Sequence, residues 1–146
     1  MHVLGVTETW LINSIPDAAV SIPNCVFYRN DVSGLVHKHG VGIYVHNSYK
    51  CFNMNINIPN TCSVFLPDLK LHIVVVYRPS YSLHDNNILI DFLSDFCINR
   101  EVIVMGDFKP RKLFVPHQVF LTNHVIINHL AILQIDKRTV GTIIKR

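Results

Sequence analysis

Short apolar runs, rich in β-branched and aromatic residues and separated by Pro, Asn, Gly and Asp, fill the first half of the chain. This pattern is typical of β-strands bounded by turns. Residues 71–77 are apolar on both alternating faces, which predicts a central strand covered on both sides. The predicted strands cover residues 2–7, 25–29, 41–46, 50–58, 61–66 and 70–78.

A helical period follows these strands. Apolar residues recur at helical spacing between residues 85 and 98, with Ser82 or Asp85 as a candidate N-cap and Asn99 as a candidate end. The apolar run 102–106 then predicts another buried strand, so that strand, helix and strand form one β-α-β unit. A basic break at residues 109–112 comes next, and residues 113–146 are apolar without a clear period.

Two carboxylates follow predicted buried strands directly. Glu8 comes after the run at residues 3–7, and Asp107 comes after the run at residues 102–106. Binding sites collect at strand ends in layered α/β proteins. Two carboxylates that converge there suit a hard cation such as Mg²⁺. The alternative is that each acid is an ordinary polar residue closing a strand, and the spacing alone favours that alternative.

Four short strings around these residues carry a family resemblance. They resemble, in order, motifs of the endonuclease/exonuclease/phosphatase superfamily, and most of all the endonuclease domain that precedes reverse transcriptase in non-LTR (LINE-type) retrotransposons. The resemblance covers residues 1–110, a partial domain, and leaves residues 111–146 as a divergent tail. The strings are Thr-Glu-Thr-Trp-Leu at 7–11, Gly-Val-Gly-Ile-Tyr-Val at 40–45 followed by Asn-Ser at 47–48, Val-Tyr-Arg-Pro-Ser at 76–80 and Val-Met-Gly-Asp-Phe at 104–108.

The resemblance implies an α/β fold, a DNase I-like two-sheet β-sandwich flanked by helices, here incomplete. It also implies Mg²⁺-dependent hydrolysis of phosphodiester bonds in DNA. Glu8 matches the residue that holds the metal, and Asp107 matches the residue that orients or deprotonates the attacking water. Tyr77 matches a tyrosine that reaches a non-bridging phosphate oxygen, although a tyrosine at a strand end is also common for structural reasons.

The chain departs from the family pattern at three places. Lys109 stands where the motif has an asparagine, and a lysine offers donors but no acceptor. We expect the family's opening strand, with its metal-site asparagine, to lie upstream of residue 2. The closing Ser-Asp-His segment is missing from the sequence, and the tail histidines His117, His124 and His129 have no acid beside them.

These departures predict that the chain nicks DNA poorly or not at all. One alternative is a non-catalytic remnant with weak or no nucleic-acid binding. Another is an active member acting on a small phosphorylated substrate, which is disfavoured because the strings match the transposon branch best. The sequence does not indicate an oligomeric state or a small-molecule cofactor.

Composition and residue spacing limit the class of protein and the kinds of metal or redox site that the chain can contain. The 49% hydrophobic and 16% charged content excludes a disordered chain, and the net charge of +3 permits contact with nucleic acid without arguing for it. The four cysteines lack the spacing of a zinc or redox motif, so we expect free thiols in a reducing compartment. His37-Lys38-His39 precedes Gly40 and predicts a solvated hairpin loop in preference to a metal site.

The predicted location follows from two sequence features. Residues 1–7 lack the pattern of a signal peptide. The segment 113–135 has no Asp, Glu, Lys or Arg, but its Pro, His, Gln, Asn and Thr residues make it too polar for a membrane span. We therefore expect an intracellular protein without membrane contact, and a nuclear one if the DNA-nicking role is retained.

Overall fold

Two β-sheets share one core in the computed structural model, which describes residues 2–31, 39–78, 83–108, 126–127 and 130–134. The first sheet has the strand order β1-β3-β2, and the second has the order β4-β5-β6-β7-β9-β8. The strands are β1 Val3–Thr7, β2 Cys25–Asn30, β3 Val41–His46, β4 Phe52–Asn53, β5 Thr61–Leu66, β6 Leu71–Arg78, β7 Glu101–Phe108, β8 Ile126–Ile127 and β9 Leu130–Gln134. The single α-helix within the described residues, α1, is Leu83–Phe96.

The two sheets differ in strand direction. The first sheet is antiparallel throughout, with β3 between β1 and β2. In the second sheet β6, β7 and β9 are parallel, whereas β4, β5 and β8 each pair antiparallel with their neighbours. Because α1 connects the adjacent parallel strands β6 and β7, the predicted β-α-β unit is confirmed.

Strand β6 packs on one face against the first sheet and on the other face against α1. Ile73 and Val75 point into the core between the sheets, where β3 contributes Ile43, while Val74 points to the other face. That other face packs against α1 through Leu89. All of these residues are buried, which confirms the prediction of a central strand covered on both faces.

A glycine lets β1 lie closely on the second sheet. A Cβ atom on Gly5 would lie 2.5 Å from Met105 Sδ and 2.7 Å from Val75 Cγ2, which is too close for any side chain without repacking. Strand β1 therefore crosses directly over β6 and β7. The residue after β1 is Glu8.

The predicted strand at residues 50–58 is wrong beyond Phe52–Asn53. The side-chain oxygen of Asn53 accepts a hydrogen bond from the Asn55 N–H at 3.1 Å, and Asn55 adopts a left-handed φ of 45°. Asparagine side chains offer the backbone such local bonds in place of a sheet ladder. The exposed Phe52 and Met54 resemble a strand in their alternation, but neither is buried.

The ends of α1 also differ from the prediction. The helix begins at Leu83, so Asp85 lies inside it and is not the N-cap, and Ser82 lies outside the described residues. The helix ends at Phe96, three residues before Asn99, which has a φ of 57°. Asparagine tolerates the left-handed conformation at the end of a helix better than most residues.

The structure also bears on the expectations for the tail, for the cysteines and for a membrane span. Residues 130–134 of the predicted divergent tail form β9, parallel to β7. All four cysteines are free, and burial raises the pKa of the Cys62 thiol to about 12. Among the described residues, no helix combines the length and apolar character needed to cross a bilayer, and most of the segment 113–135 lies outside them.

Candidate functional site

Tyr77 and Asp107 are register partners on the parallel strands β6 and β7. Each is the second-last residue of its strand, so both lie at the same C-terminal edge of the sheet. Paired residues on adjacent strands point to the same face of a sheet, so both side chains are directed to the side on which β1 packs. Tyr77 is 3% exposed and belongs to the inter-sheet core, whereas Asp107 is half-buried.

Gly106 fixes the backbone immediately before Asp107. It has a φ of 155°, and a Cβ atom there would collide with the carbonyl group of Val76 on the neighbouring strand. The clash cannot be relieved by moving a side chain, because the atoms that a Cβ would meet belong to the backbone of Val76. Strand packing therefore requires a glycine at position 106, whatever chemistry Asp107 carries out.

Glu8 lies in an irregular segment, residues 8–10, that follows β1 and that we call the Glu8 turn. Glu8 and Trp10 have left-handed φ angles of 53° and 55°. Each such residue costs of order 1 kcal/mol or more, and such conformations cluster at functional sites. Two backbone hydrogen bonds hold the turn to the start of β3: the Thr9 N–H donates to the Gly40 carbonyl at 3.2 Å, and the Trp10 N–H donates to the His39 carbonyl at 2.8 Å.

His39 joins this turn to the edge that carries Tyr77. Its imidazole packs on the Tyr77 ring with 4.7 Å between ring centroids and on the Trp10 indole at 5.5 Å. The Glu8 turn therefore lies at the same edge of the two sheets as Tyr77 and Asp107. His39 lies in the connection between the antiparallel strands β2 and β3, so the predicted hairpin is confirmed at this residue. The prediction that it is solvated is wrong, because His39 is half-buried against two aromatic rings. Residues 37 and 38 lie outside the described residues.

Asn60 is a second residue that connects the parts of this edge. Its carbonyl accepts the Tyr77 N–H at 2.9 Å, and its side-chain oxygen accepts the Gly40 N–H at 3.4 Å. Asn30 holds the preceding loop by donating to the carbonyls of Ile58 at 3.1 Å and Thr61 at 2.8 Å. No sequence pattern marks either asparagine, because both act through contacts with distant segments.

An ion-pair cluster anchors the loop that follows the Glu8 turn. Arg29 Nε lies 3.1 Å from Asp17 Oδ1 and 3.3 Å from Asp31 Oδ2, and Arg29 Nη2 donates to the Ile15 carbonyl at 2.8 Å. Burial raises the pKa of the Asp31 carboxyl, and the Arg29 guanidinium partly offsets this rise. Side-chain exposure of 16% for Arg29 and 6% for Asp31 indicates a structural pair.

The donor set at this edge suits a hard cation. Glu8 and Asp107 are both half-buried carboxylates, and among the described residues no three or more His, Cys, Asp or Glu side chains cluster as a metal site. Mg²⁺ is commonly held by one or two carboxylates, with water and substrate phosphate completing its shell. Two carboxylates therefore fit Mg²⁺, whereas a structural zinc site needs four protein ligands.

Comparison of the chain with protein-family models, with curated proteins and with solved structures found no significant match.

Proposed function

We propose that this chain is a weakened Mg²⁺-dependent DNA endonuclease domain with a DNase I-like fold, derived from a non-LTR retrotransposon. The observation that supports it best is the pairing of Tyr77 with Asp107 at the ends of two parallel strands. The Glu8 turn reaches the same edge through the contact of His39 with Tyr77. These are three residues for which the sequence resemblance implies one shared site.

Each residue has a separate role in this proposal. Glu8 and Asp107 supply carboxylate oxygens to the metal, and Asp107 also orients the attacking water and accepts its proton. A bound Mg²⁺ would polarise the phosphoryl oxygens and neutralise charge that develops on the leaving group. The Tyr77 hydroxyl donates a hydrogen bond to a non-bridging phosphate oxygen.

Three features make the expected activity low. Tyr77 is 3% exposed and its ring packs against His39, so little of this residue is accessible to a phosphate. Lys109 replaces the motif asparagine, and the sequence has no Ser-Asp-His triplet. A positioned acid or base contributes about 10²–10⁴ in rate, although such losses do not add because the residues act as a unit.

Nicking of supercoiled plasmid in the presence of Mg²⁺ tests the proposal. We expect slow nicking by the 146-residue chain that EDTA stops and that Asp107→Ala abolishes. Asp91→Ala is the matched control, because Asp91 is an exposed carboxylate on α1 and its loss should leave nicking unchanged. Equal background from the wild-type chain and both variants would contradict the endonuclease proposal and favour the non-catalytic remnant.

A further inference from the structure

Two histidines lie side by side at the opposite end of β1 from Glu8. His2 immediately precedes β1, and His46 is the last residue of β3. The His46 N–H donates to the His2 carbonyl at 2.9 Å, which extends the pairing of Val3 with Val45 by one residue. Because Val45 points into the core, both histidines are directed to the outer face of the first sheet. Their ring centroids are 6.4 Å apart.

A hydroxyl group contacts the Nδ1 atom of each ring. His2 Nδ1 lies 3.3 Å from the Tyr49 hydroxyl, and His46 Nδ1 lies 2.8 Å from Ser48 Oγ. No described residue makes a hydrogen bond to either Nε2 atom. Metal-binding histidines have this arrangement, with one ring nitrogen held by a hydrogen-bond partner while the other binds the ion.

We propose that the Nε2 atoms of His2 and His46 together bind one divalent transition-metal ion of the Zn²⁺, Ni²⁺ and Cu²⁺ class. Imidazole nitrogen suits these ions, whereas Mg²⁺ and Mn²⁺ prefer oxygen ligands. Water completes the shell. In the bound state His46 Nδ1 carries a hydrogen atom and donates a hydrogen bond to Ser48 Oγ. It therefore no longer accepts the hydrogen bond from the Ser48 N–H, which is 3.2 Å long in the structure.

The distance between the rings is close to what a shared ion requires. With Zn–N bonds of about 2.1 Å in tetrahedral geometry, the centres of two bound imidazoles lie roughly 5 Å apart. The observed 6.4 Å must therefore shorten by roughly 1 Å. His2 is exposed, so a rotation of its side chain can provide this movement without disturbing the core.

The bound ion would link β1 to β3, the central strand of its sheet. Among the described strands, β1 lies at the edge of its sheet and pairs with β3 alone, and the two histidines lie on opposite sides of that pairing. Binding that occurs in the folded state and not in the unfolded chain stabilises the fold in proportion to metal concentration. This site shares no residue with the edge that carries Glu8, Tyr77 and Asp107, so its test does not depend on the proposed endonuclease function.

Thermal unfolding with added Zn²⁺ gives the first test. For a chain of this length, a saturating concentration should raise the unfolding temperature by about 5 °C. His2→Gln and His46→Gln should each remove the shift, whereas His84→Gln, a histidine of α1 outside the pair, should keep it. An equal shift in the His2→Gln/His46→Gln double variant, or no shift in the wild-type chain, would overturn the proposal.

Co²⁺ binding followed by its visible absorption gives a second test that does not depend on stability. Tyr49→Phe removes only the hydroxyl beside His2 Nδ1, so Co²⁺ affinity should fall about 10–100-fold, as is usual for outer-shell partners. Cys25 pairs with His46 on the other neighbouring strand. Cys25→Ser should leave the Co²⁺ spectrum unchanged, and loss of a thiolate-to-cobalt absorption band in that variant would refute a site made of two imidazoles.

Discussion

Tyr77 and Asp107 lie directly opposite each other on adjacent parallel strands, although 30 positions separate them in the sequence. The β-α-β connection through α1 produces this pairing, because it returns the chain in the same direction beside β6. Glu8 reaches the same edge from the other sheet, on a turn that His39 connects to Tyr77. The candidate site is thus formed where the ends of two sheets meet.

The two glycines that permit close strand packing should differ in their tolerance of alanine. Gly106→Ala places a Cβ atom against the backbone of Val76, which cannot move aside, so we expect a loss of more than about 3 kcal/mol in the free energy of unfolding. Gly5→Ala meets the flexible side chain of Met105 and should cost about 1–3 kcal/mol. Urea unfolding measures both. A larger loss for Gly5→Ala would contradict the packing described for β1.

His72 should make the fold less stable in mild acid. Its ring stacks on Phe65 and meets Phe96 edge-to-face. Burial lowers the pKa of His72, and the nearby Arg100 charge adds to the effect. Below a pH of about 6.5 the unfolded chain therefore binds a proton that the folded chain excludes, and stability falls as the pH falls.

The pH effect can be isolated with His72→Phe, which keeps the aromatic stack and removes the titrating group. Between pH 7.5 and pH 5, the free energy of unfolding of His72→Phe should fall less than that of the wild-type chain. The difference between the two slopes is at most about 1.4 kcal/mol per pH unit, because a single proton is involved. His2→Gln serves as a control for loss of an exposed histidine. An identical pH dependence in the wild-type chain and His72→Phe would show that His72 does not contribute.

Much of the strand pattern could be predicted from the sequence. Runs such as 41–46 and 61–66 combine β-branched residues with clear turn residues on both sides, and their bounds agree with the structure. The strand prediction for residues 50–58 was wrong because their alternating apolar residues resemble a strand, whereas the Asn55 N–H donates to the Asn53 side-chain oxygen and not to a neighbouring strand. Periodicity does not detect such side-chain competition with the sheet ladder.

The candidate site was predictable only where it coincides with strand ends. Glu8, Tyr77 and Asp107 each follow or close an apolar run, so the sequence identifies them. His39 and Asn60 contribute through contacts with segments far away in the chain, and neither residue type nor spacing marks those contacts. The left-handed turn at Glu8 is equally invisible in the sequence, because non-glycine residues seldom adopt that conformation.

Tyr77→Phe should separate the role of the hydroxyl from that of the ring. The ring keeps its place in the inter-sheet core, so the free energy of unfolding should change by at most about 1.5 kcal/mol. If the hydroxyl contacts phosphate, plasmid nicking should slow by about tenfold or more. Nicking at the wild-type rate would show that Tyr77 is a structural residue only.

Lys109→Asn restores the asparagine of the resembled motif. We expect faster Mg²⁺-dependent nicking, by about tenfold, because an asparagine can position water and phosphate with both a donor and an acceptor. Lys112→Asn, which removes a positive charge from the same basic segment, is the matched control for reduced attraction to DNA. Equal rates in both variants and the wild-type chain would remove Lys109 as a cause of low activity.

Paramagnetic Mn²⁺ in place of Mg²⁺ tests most directly whether Glu8 and Asp107 share one metal site. Mn²⁺ accepts the same carboxylate and water ligands and broadens the NMR signals of nearby amides. We predict that the amide signals of Glu8 and Asp107 broaden together, that excess Mg²⁺ restores both signals, and that Asp107→Asn protects both from broadening. Broadening at only one of the two residues, or broadening at Glu8 that persists in Asp107→Asn, would contradict it.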